Sequence, residues 1–389
     1  MLNVNSKDIV SRLKEFLPQN HSSIPLHQPC FSGNEWHYVK DCLDTGWVSS
    51  VGEYVQRFEQ ALTQYTGAQY AIAVVNGTAA LHTCLMLAEV NVDDEVLMPA
   101  LTFVATANAV AYCRAIPHFV DIAPNTLGVD PDKLRDYLRH CAELRDKQCY
   151  NRYTGRRIPA LVVMHAFGHP VDLDALGNVC DEYHITLIED AAESLGSRYK
   201  QRHTGTIGRL NAVSFNGNKI ITTGGGGAIL TNDAELSQRA RHLTTTAKSP
   251  HAWEYVHDRV GYNYRLPNIN AAMGLGQLEQ ITTFVARKRA LAKRYQQAFE
   301  DVDGITIFSE PEFACSNYWL NLLILDRPDV SLRNELLQTT HTAGILTRPA
   351  WELMHKLPMY SSCPHMDLSE AESYFNRIIC LPSSVELAQ

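Results

Sequence analysis

No stretch of this sequence supplies the roughly 20 apolar residues that a membrane span requires. The uncharged run from Val96 to Cys113 is broken by Pro99, Thr102, Thr106 and Asn108, which fits a buried strand, a turn and a helix start. The first residues, Met1–Asn20, carry charges throughout and lack the apolar segment of a secretory leader. No block of Lys and Arg exists to track a phosphate backbone, and a net charge of −8 opposes nucleic-acid binding. The ten cysteines include no Cys-x-x-Cys and no Cys/His pair at zinc-finger spacing. Reduced, structural cysteines in a cytoplasmic protein are therefore expected, with no metal. Neither an internal repeat nor a low-complexity tract is visible.

What remains is ordinary globular material. With 389 residues, 45% of them hydrophobic, the chain can bury a large core and fill two domains. Residues 1–30 read as an arm containing a helix over Ser6–Phe16. Helices follow at Glu35–Asp44 and Val55–Thr66. Then short apolar runs alternate with helical stretches. Strands are expected at Tyr70–Val75, Glu95–Met98, Pro117–Val120, Ala160–Met164, Ile185–Ile188, Ala212–Phe215 and Ala228–Thr231, with helices at Ala79–Ala88, Thr106–Tyr112 and Leu173–Tyr183. Such alternation predicts an α/β fold, a largely parallel sheet covered on both faces. Polar Arg135–Arg157 reads as a loop or short helical insertion. Beyond Pro267 the pattern changes: a helix of about nine turns over Asn270–Asp301, strands at Ile305–Phe308, Trp319–Leu325 and Ile345–Pro349, and a helix at Ser331–Thr340. The expected division is an arm at 1–30, a large α/β domain at 31–267 and a small α+β domain at 268–389.

In parallel α/β sheets, ligands gather at the carboxyl ends of the strands. After the first strand comes Asn76-Gly77-Thr78-Ala79-Ala80 and a helix start, whose free N–H groups and dipole suit a phosphate. Alone it is equally an ordinary capped helix. After Ile185–Ile188 comes Glu189-Asp190-Ala191-Ala192-Glu193. A carboxylate at a buried strand end needs a partner. A protonated pyridine nitrogen is one such partner, and a helix cap is another. After Ala212–Phe215 comes Asn216-Gly217-Asn218-Lys219, then Gly224–Gly227. A lysine placed there suits amine chemistry if burial favours its neutral form. By itself the segment is also a plausible surface hairpin.

The three segments together, with Lys219 lying 29 residues beyond Asp190 (219 − 190 = 29), follow the chain order of fold-type-I pyridoxal enzymes. With Gly46-Trp47-Val48-Ser49-Ser50-Val51-Gly52, Thr102-Phe103-Val104-Ala105-Thr106 and Gly261-Tyr262-Asn263-Tyr264-Arg265-Leu266-Pro267, the sequence resembles the DegT/StrS family of nucleotide-sugar aminotransferases. The resemblance implies a large, mostly parallel sheet of the seven-stranded type, a smaller C-terminal domain, pyridoxal 5′-phosphate as cofactor and a homodimer with shared active sites. It further implies that Lys219 holds the cofactor and moves protons, and that Asp190 pairs with the ring nitrogen. Thr78, Ala79 and Ser214 would take the phosphate, Phe103 would stack on the ring, and Asn263 would reach the neighbour's phosphate. Glu193 matches a position near the ring oxygen, where many relatives carry Gln or His.

The implied reaction moves an amino group from L-glutamate to a ketone on a nucleotide-linked sugar. The segment Leu243–Asp258 is similar to the branch that makes 4-amino-4,6-dideoxy-N-acetylglucosamine nucleotides, UDP- or GDP-linked, for legionaminic acid or bacillosamine routes to surface glycans. On that resemblance Trp47, Ser49, His251, Trp253 and His257 are candidate sugar contacts, Trp253 by stacking and the histidines by hydrogen bonding. A perosamine-type enzyme shares most of these motifs. A sugar dehydratase of the family would carry His at position 219. A catalytically silent cofactor-binding regulator would have lost Lys219 or Asp190, or gained a DNA-binding module; neither is seen.

Overall fold

The computed structural model describes residues 5–18 and 23–388, so parts of the expected arm, 1–4 and 19–22, lie outside the described residues. The chain opens with helices α1 (Ser6–Phe16), α2 (Glu35–Thr45) and α3 (Glu53–Thr66). Strand β1 (Tyr70–Val74), α4 (Gly77–Leu87), β2 (Glu95–Pro99), α5 (Val104–Tyr112), β3 (Ile116–Val120) and α6 (Pro131–Cys141) follow. A hairpin of β4 (Ala142–Arg145) and β5 (Gln148–Asn151) leads to β6 (Ala160–Met164), α7 (Leu173–Tyr183) and β7 (Thr186–Asp190). Then come short β8 (Arg198–Tyr199) and β9 (Arg202–His203), followed by β10 (Leu210–Ser214), β11 (Gly227–Thr231) and α8 (Ala234–Thr244). The last third holds α9 (Asn268–Leu278), α10 (Ile281–Phe299), β12 (Ile305–Ile307), β13 (Ala314–Cys315), β14 (Asn321–Leu325), α11 (Val330–Thr342), β15 (Arg348–Pro349), α12 (Ser369–Phe375) and β16 (Ile378–Leu381).

Seven strands form the main sheet in the order β1-β11-β10-β7-β6-β2-β3. Only β11 runs against its neighbours β1 and β10. The other six point the same way, so their carboxyl ends share one edge. Strands β2, β6 and β10 are buried along their whole length, as expected when helices cover both faces. On one face Phe58 of α3 meets Phe215 edge-on, their centroids 5.1 Å apart. No described helix is long and apolar enough to cross a membrane.

Three expectations change. The polar segment 135–157, expected as a loop or short helical insertion, is helical only to Cys141, where α6 ends; the β4–β5 hairpin follows, its base tied down by Asn151 and Thr154 donating to buried Glu95. The long helix expected over Asn270–Asp301 is two helices, α9 and α10, meeting at Glu279-Gln280. At Gly276, α9 lies so close to α2 that an added Cβ would sit 2.7 Å from the Glu35 amide nitrogen. Gln277 and Gln280 spend their side-chain amides on Glu35 and the backbone nearby, and the chain turns there. Helix α8 was not foreseen, although Asp233 caps it by accepting from the Glu235 and Leu236 amides.

Helix α9 shares the core of α3 and the main sheet through Ala271, Leu275 and Leu278. A separate core joins α1, α10 and α11 to the four-stranded sheet β12-β14-β16-β15 through Leu13, Leu291, Tyr295, Leu323 and Leu336. The two layers are stitched together where β13 pairs with β8.

Candidate active site

The edge formed by the six carboxyl ends carries the reactive side chains. After β1, Asn76 Oδ1 accepts from the Ala79 amide at 2.7 Å and starts α4. That bond occupies the Ala79 N–H, which the sequence reading had assigned to a phosphate. The amides with no partner among the described residues are those of Gly77 and Thr78. Side chains would not fit here. A Cβ on Gly77 would lie 2.9 Å from Ser214 Cβ, and one on Gly227 would lie 2.6 Å from the Asn76 carbonyl carbon. The ends of β1, β10 and β11 are thereby squeezed until the Ser214 hydroxyl adjoins the first turn of α4. Partner-free amides, a hydroxyl and the positive end of a helix dipole favour an anion.

At the end of β7, Glu189 and Asp190 point to opposite faces, as successive strand residues must. Glu189 accepts from the Gly205, Ile207 and Gly208 amides and pairs with buried His165 at 2.8 Å. Against burial, which would raise it, His165 and these amides hold the Glu189 carboxyl below the usual range. Asp190 is 3% exposed and, among the described residues, accepts only from the Thr106 hydroxyl at 2.8 Å and the Ala192 amide at 3.2 Å. Burial pushes its carboxyl up. It is a buried acid whose geometry has room for a cationic donor.

One turn on, Glu193 Oε1 lies 3.2 Å from Lys219 Nζ and Oε2 accepts from the Phe167 amide at 2.8 Å. Burial pushes the Glu193 carboxyl up to about 7, with the Lys219 charge opposing. Lys219 closes the turn after β10, its amide bonded to the Asn216 carbonyl at 3.0 Å. Its Nζ sits 4.1 Å from the centre of the Trp319 ring, and Trp319 Nε1 donates to the Asn218 carbonyl at 2.7 Å. These groups face a cavity of about 280 Å³. Its polar wall includes Thr78, Asp190, Glu193, Ser214 and Lys219; its apolar wall includes Phe103, Met164, Trp319 and Trp351.

The structure thus gathers Thr78, Phe103, Asp190, Glu193, Ser214 and Lys219 at one place. It does not bring the remaining candidates there. Trp47 lines a different groove, of about 500 Å³, with Arg241 and Arg265. Ser49 is exposed, and its carbonyl accepts from the Asn268 amide. His251, Trp253 and His257 sit on an exposed loop held by local bonds, His251 to the Glu254 amide and His257 to the Thr246 carbonyl. Asn263 is exposed beside Thr245. Sequence reasoning missed Trp319 and Trp351. Trp319 was read as part of a strand, and nothing local marks Trp351, which lies 132 residues beyond Lys219 (351 − 219 = 132).

Comparison with known proteins converges on the same chemistry. The DegT/DnrJ/EryC1/StrS aminotransferase family pattern matches residues 29–389. EpsN of Bacillus subtilis (strain 168), named as a pyridoxal phosphate-dependent aminotransferase, is 37% identical over 373 residues, spanning 95% of this chain and 93% of its own. The GDP-perosamine synthase of Escherichia coli O157:H7 is 37% identical over 338 residues, 87% of each chain. The crystal structure of the aminotransferase TlmJ from Streptoalloteichus hindustanus matches with a TM-score of 0.83 at 29% identity over 93% of both chains. The chain belongs to the DegT/DnrJ/EryC1/StrS family and is a pyridoxal-phosphate-dependent sugar aminotransferase of the type-I fold.

Proposed function

We propose that this enzyme transfers the amino group of L-glutamate to C4 of a nucleotide-linked 4-keto-6-deoxy sugar for surface-polysaccharide synthesis. The observation that carries the reading is the meeting of Lys219 Nζ with Glu193 at 3.2 Å in a cavity that also holds Asp190. The residues fit pyridoxal phosphate. The partner-free amides of Gly77 and Thr78 with the Ser214 hydroxyl suit its phosphate, and Phe103 offers a ring face. Buried Asp190 lacks the cation that a protonated ring nitrogen provides. When bound, the cofactor supplies an electron sink for the pair released from the donor Cα–H bond. Lys219 anchors it and, once released, carries the proton at Nζ between substrate carbon and cofactor. Asp190 keeps the ring nitrogen protonated. Glu193 holds Lys219 in reach, and Trp319 with Trp351 excludes water.

For the acceptor we propose the 2-acetamido sugar, UDP- or GDP-linked, yielding 4-amino-4,6-dideoxy-N-acetylglucosamine as in legionaminic acid and bacillosamine routes. The support is the segment Leu243–Asp258 with His251, Trp253 and His257. A second reading, a perosamine-type acceptor without the acetamido group, is favoured by three GDP-perosamine synthases at 32–37% identity. Comparing kcat/KM for the two acceptors decides. A site built to bond the amide should discriminate by roughly 10⁴-fold, because the stripped analogue leaves buried polar groups unpaired. Equal efficiency removes the acetamido reading and leaves the broader one.

We also propose a homodimer with shared sites. Asn263, Trp47 and the loop bearing Trp253 lie outside the chain's own cavity, and Trp36, Trp47, Val51, Trp253 and Tyr255 are exposed large hydrophobic side chains available to a partner. In this arrangement Asn263 and the loop serve the neighbour's cavity. Mixing Lys219→Ala with Asn263→Ala should restore activity, since a hybrid dimer contains one intact site. A fully active monomer by light scattering refutes the arrangement.

A further inference from the structure

We propose that Phe167 is a positioning residue for the reacting amine: its backbone amide fixes Glu193 against Lys219 while its ring fixes Trp351 in the cavity wall. The inference rests on the reading of Lys219 as the reacting amine.

The turn His165-Ala166-Phe167-Gly168 follows β6. Phe167 adopts φ +58 and ψ +12, the left-handed region that a buried aromatic side chain rarely enters. What holds it there is contact on every side. Its ring stacks on Trp351 with centroids 4.6 Å apart and planes 3° from parallel. Its carbonyl accepts from the Leu320 amide at 3.3 Å. The next residue, Gly168, has φ +97, and a Cβ there would lie 2.0 Å from Asn317 Oδ1. The Gly168 carbonyl accepts from the Ser197 and Ser316 hydroxyls at 2.7 and 2.8 Å. Held in this way, the Phe167 amide points at Glu193 Oε2, 2.8 Å away, and leaves Oε1 for Lys219.

The backbone conformation therefore has two outputs in the site, one polar through Glu193 and one apolar through Trp351. An extended backbone at 167 would surrender both. The groups acting on Glu193 are few. Lys219 and the Phe167 amide favour its charged form, Asp190 opposes it, and Cys380 of β16 is a thiol that burial keeps neutral. His165, close by, is committed to Glu189. Loss of the Phe167 amide thus leaves the carboxylate one of its two direct donors.

The test uses the full chain freed of cofactor, so that it is independent of the acceptor. Acetylation of Lys219 by acetic anhydride is followed against pH by mass spectrometry of its peptide, with exposed Lys293 as internal reference. In the unaltered protein the Lys219 profile should bend where Glu193, pushed up by burial to about 7, loses its proton. Glu193→Gln should remove the bend. Phe167→Gly keeps an amide but frees the backbone and deletes the ring. It should move the bend upward by roughly 1 pH unit. Adding Glu193→Gln to it should abolish the bend, with no further change in profile. Circular dichroism checks folding, and Phe167→Ala, which also deletes the ring and whose side chain disfavours left-handed backbone, replaces the glycine variant if that one fails to fold. A bend unmoved in the folded Phe167 variants overturns the proposal, as does a bend that survives Glu193→Gln. Cofactor trapping on another lysine would instead defeat the Lys219 reading, whatever the Phe167 result.

Discussion

Replacing Lys219 with alanine should lower kcat by roughly 10⁴-fold or more while leaving the fold intact, because one amine serves as anchor and as proton carrier. In the unaltered enzyme, borohydride should fix the cofactor to the peptide containing Lys219, and in Lys219→Ala it should fix none. The informative competitor is Lys288. It is wholly buried on α10, and desolvation lowers its amine to about 7, which favours the neutral form. Yet its Nζ is committed to the Trp319 and Ser383 carbonyls and lies outside the cavity. Label on Lys288, or on exposed-loop Lys248, would sink the assignment. A low pKa alone does not make a reactive amine; an open path to the substrate is also needed, and the structure gives that path to Lys219.

For Asp190→Asn we expect a split result. Activity should fall by roughly 10²–10³-fold, the scale of losing one preorganised electrostatic contact. Stability of the cofactor-free protein should move the other way. Burial raises the folded Asp190 carboxyl above its unfolded value, so between those two values the folded state binds more protons. Stability conferred on the protonated acid is complete below the unfolded pKa near 3.8 and is lost as pH rises through the folded value. At pH 8, above the unfolded value, the raised acid is a burden, and the asparagine variant should melt higher than the unaltered chain; at pH 3 the two should converge. Adding pyridoxal phosphate should reverse the order, since the ring cation relieves the charge in the unaltered protein alone. A cofactor-free asparagine variant less stable at pH 8 would contradict this account.

The parallel sheet was legible because β6 is an uninterrupted apolar run between turn residues, and because the ends of β7 and β10 carry Asp190 and the Lys219 turn. Local chemistry sufficed for those. It could not reveal that Glu193 and Lys219 touch, since a strand crossing separates them, nor that Trp319 and Trp351 complete the wall. The insertion at 135–157 was misread because its hairpin is stabilised by a single buried acid, Glu95, forty residues or more upstream. Helix α8 was overlooked because Ala234–Thr244 has few apolar residues, although Asp233 was a readable start signal. The turn at Glu279-Gln280 depends on Glu35, far away in sequence. Except for α8, the deciding partner was distant.

The stack of Phe167 on Trp351 also orders events during synthesis. When Ser214 leaves the ribosome, the phosphate turn and the acid of β7 already exist, but 137 residues remain before Trp351 is made (351 − 214 = 137). At roughly 5–20 residues per second this is an interval of about 7–30 s. Through it, the left-handed turn at Phe167 has no ring to lean on. A nascent large sheet therefore carries the reactive lysine in an unwalled groove, and a tight cofactor pocket belongs to the finished chain rather than to its first half.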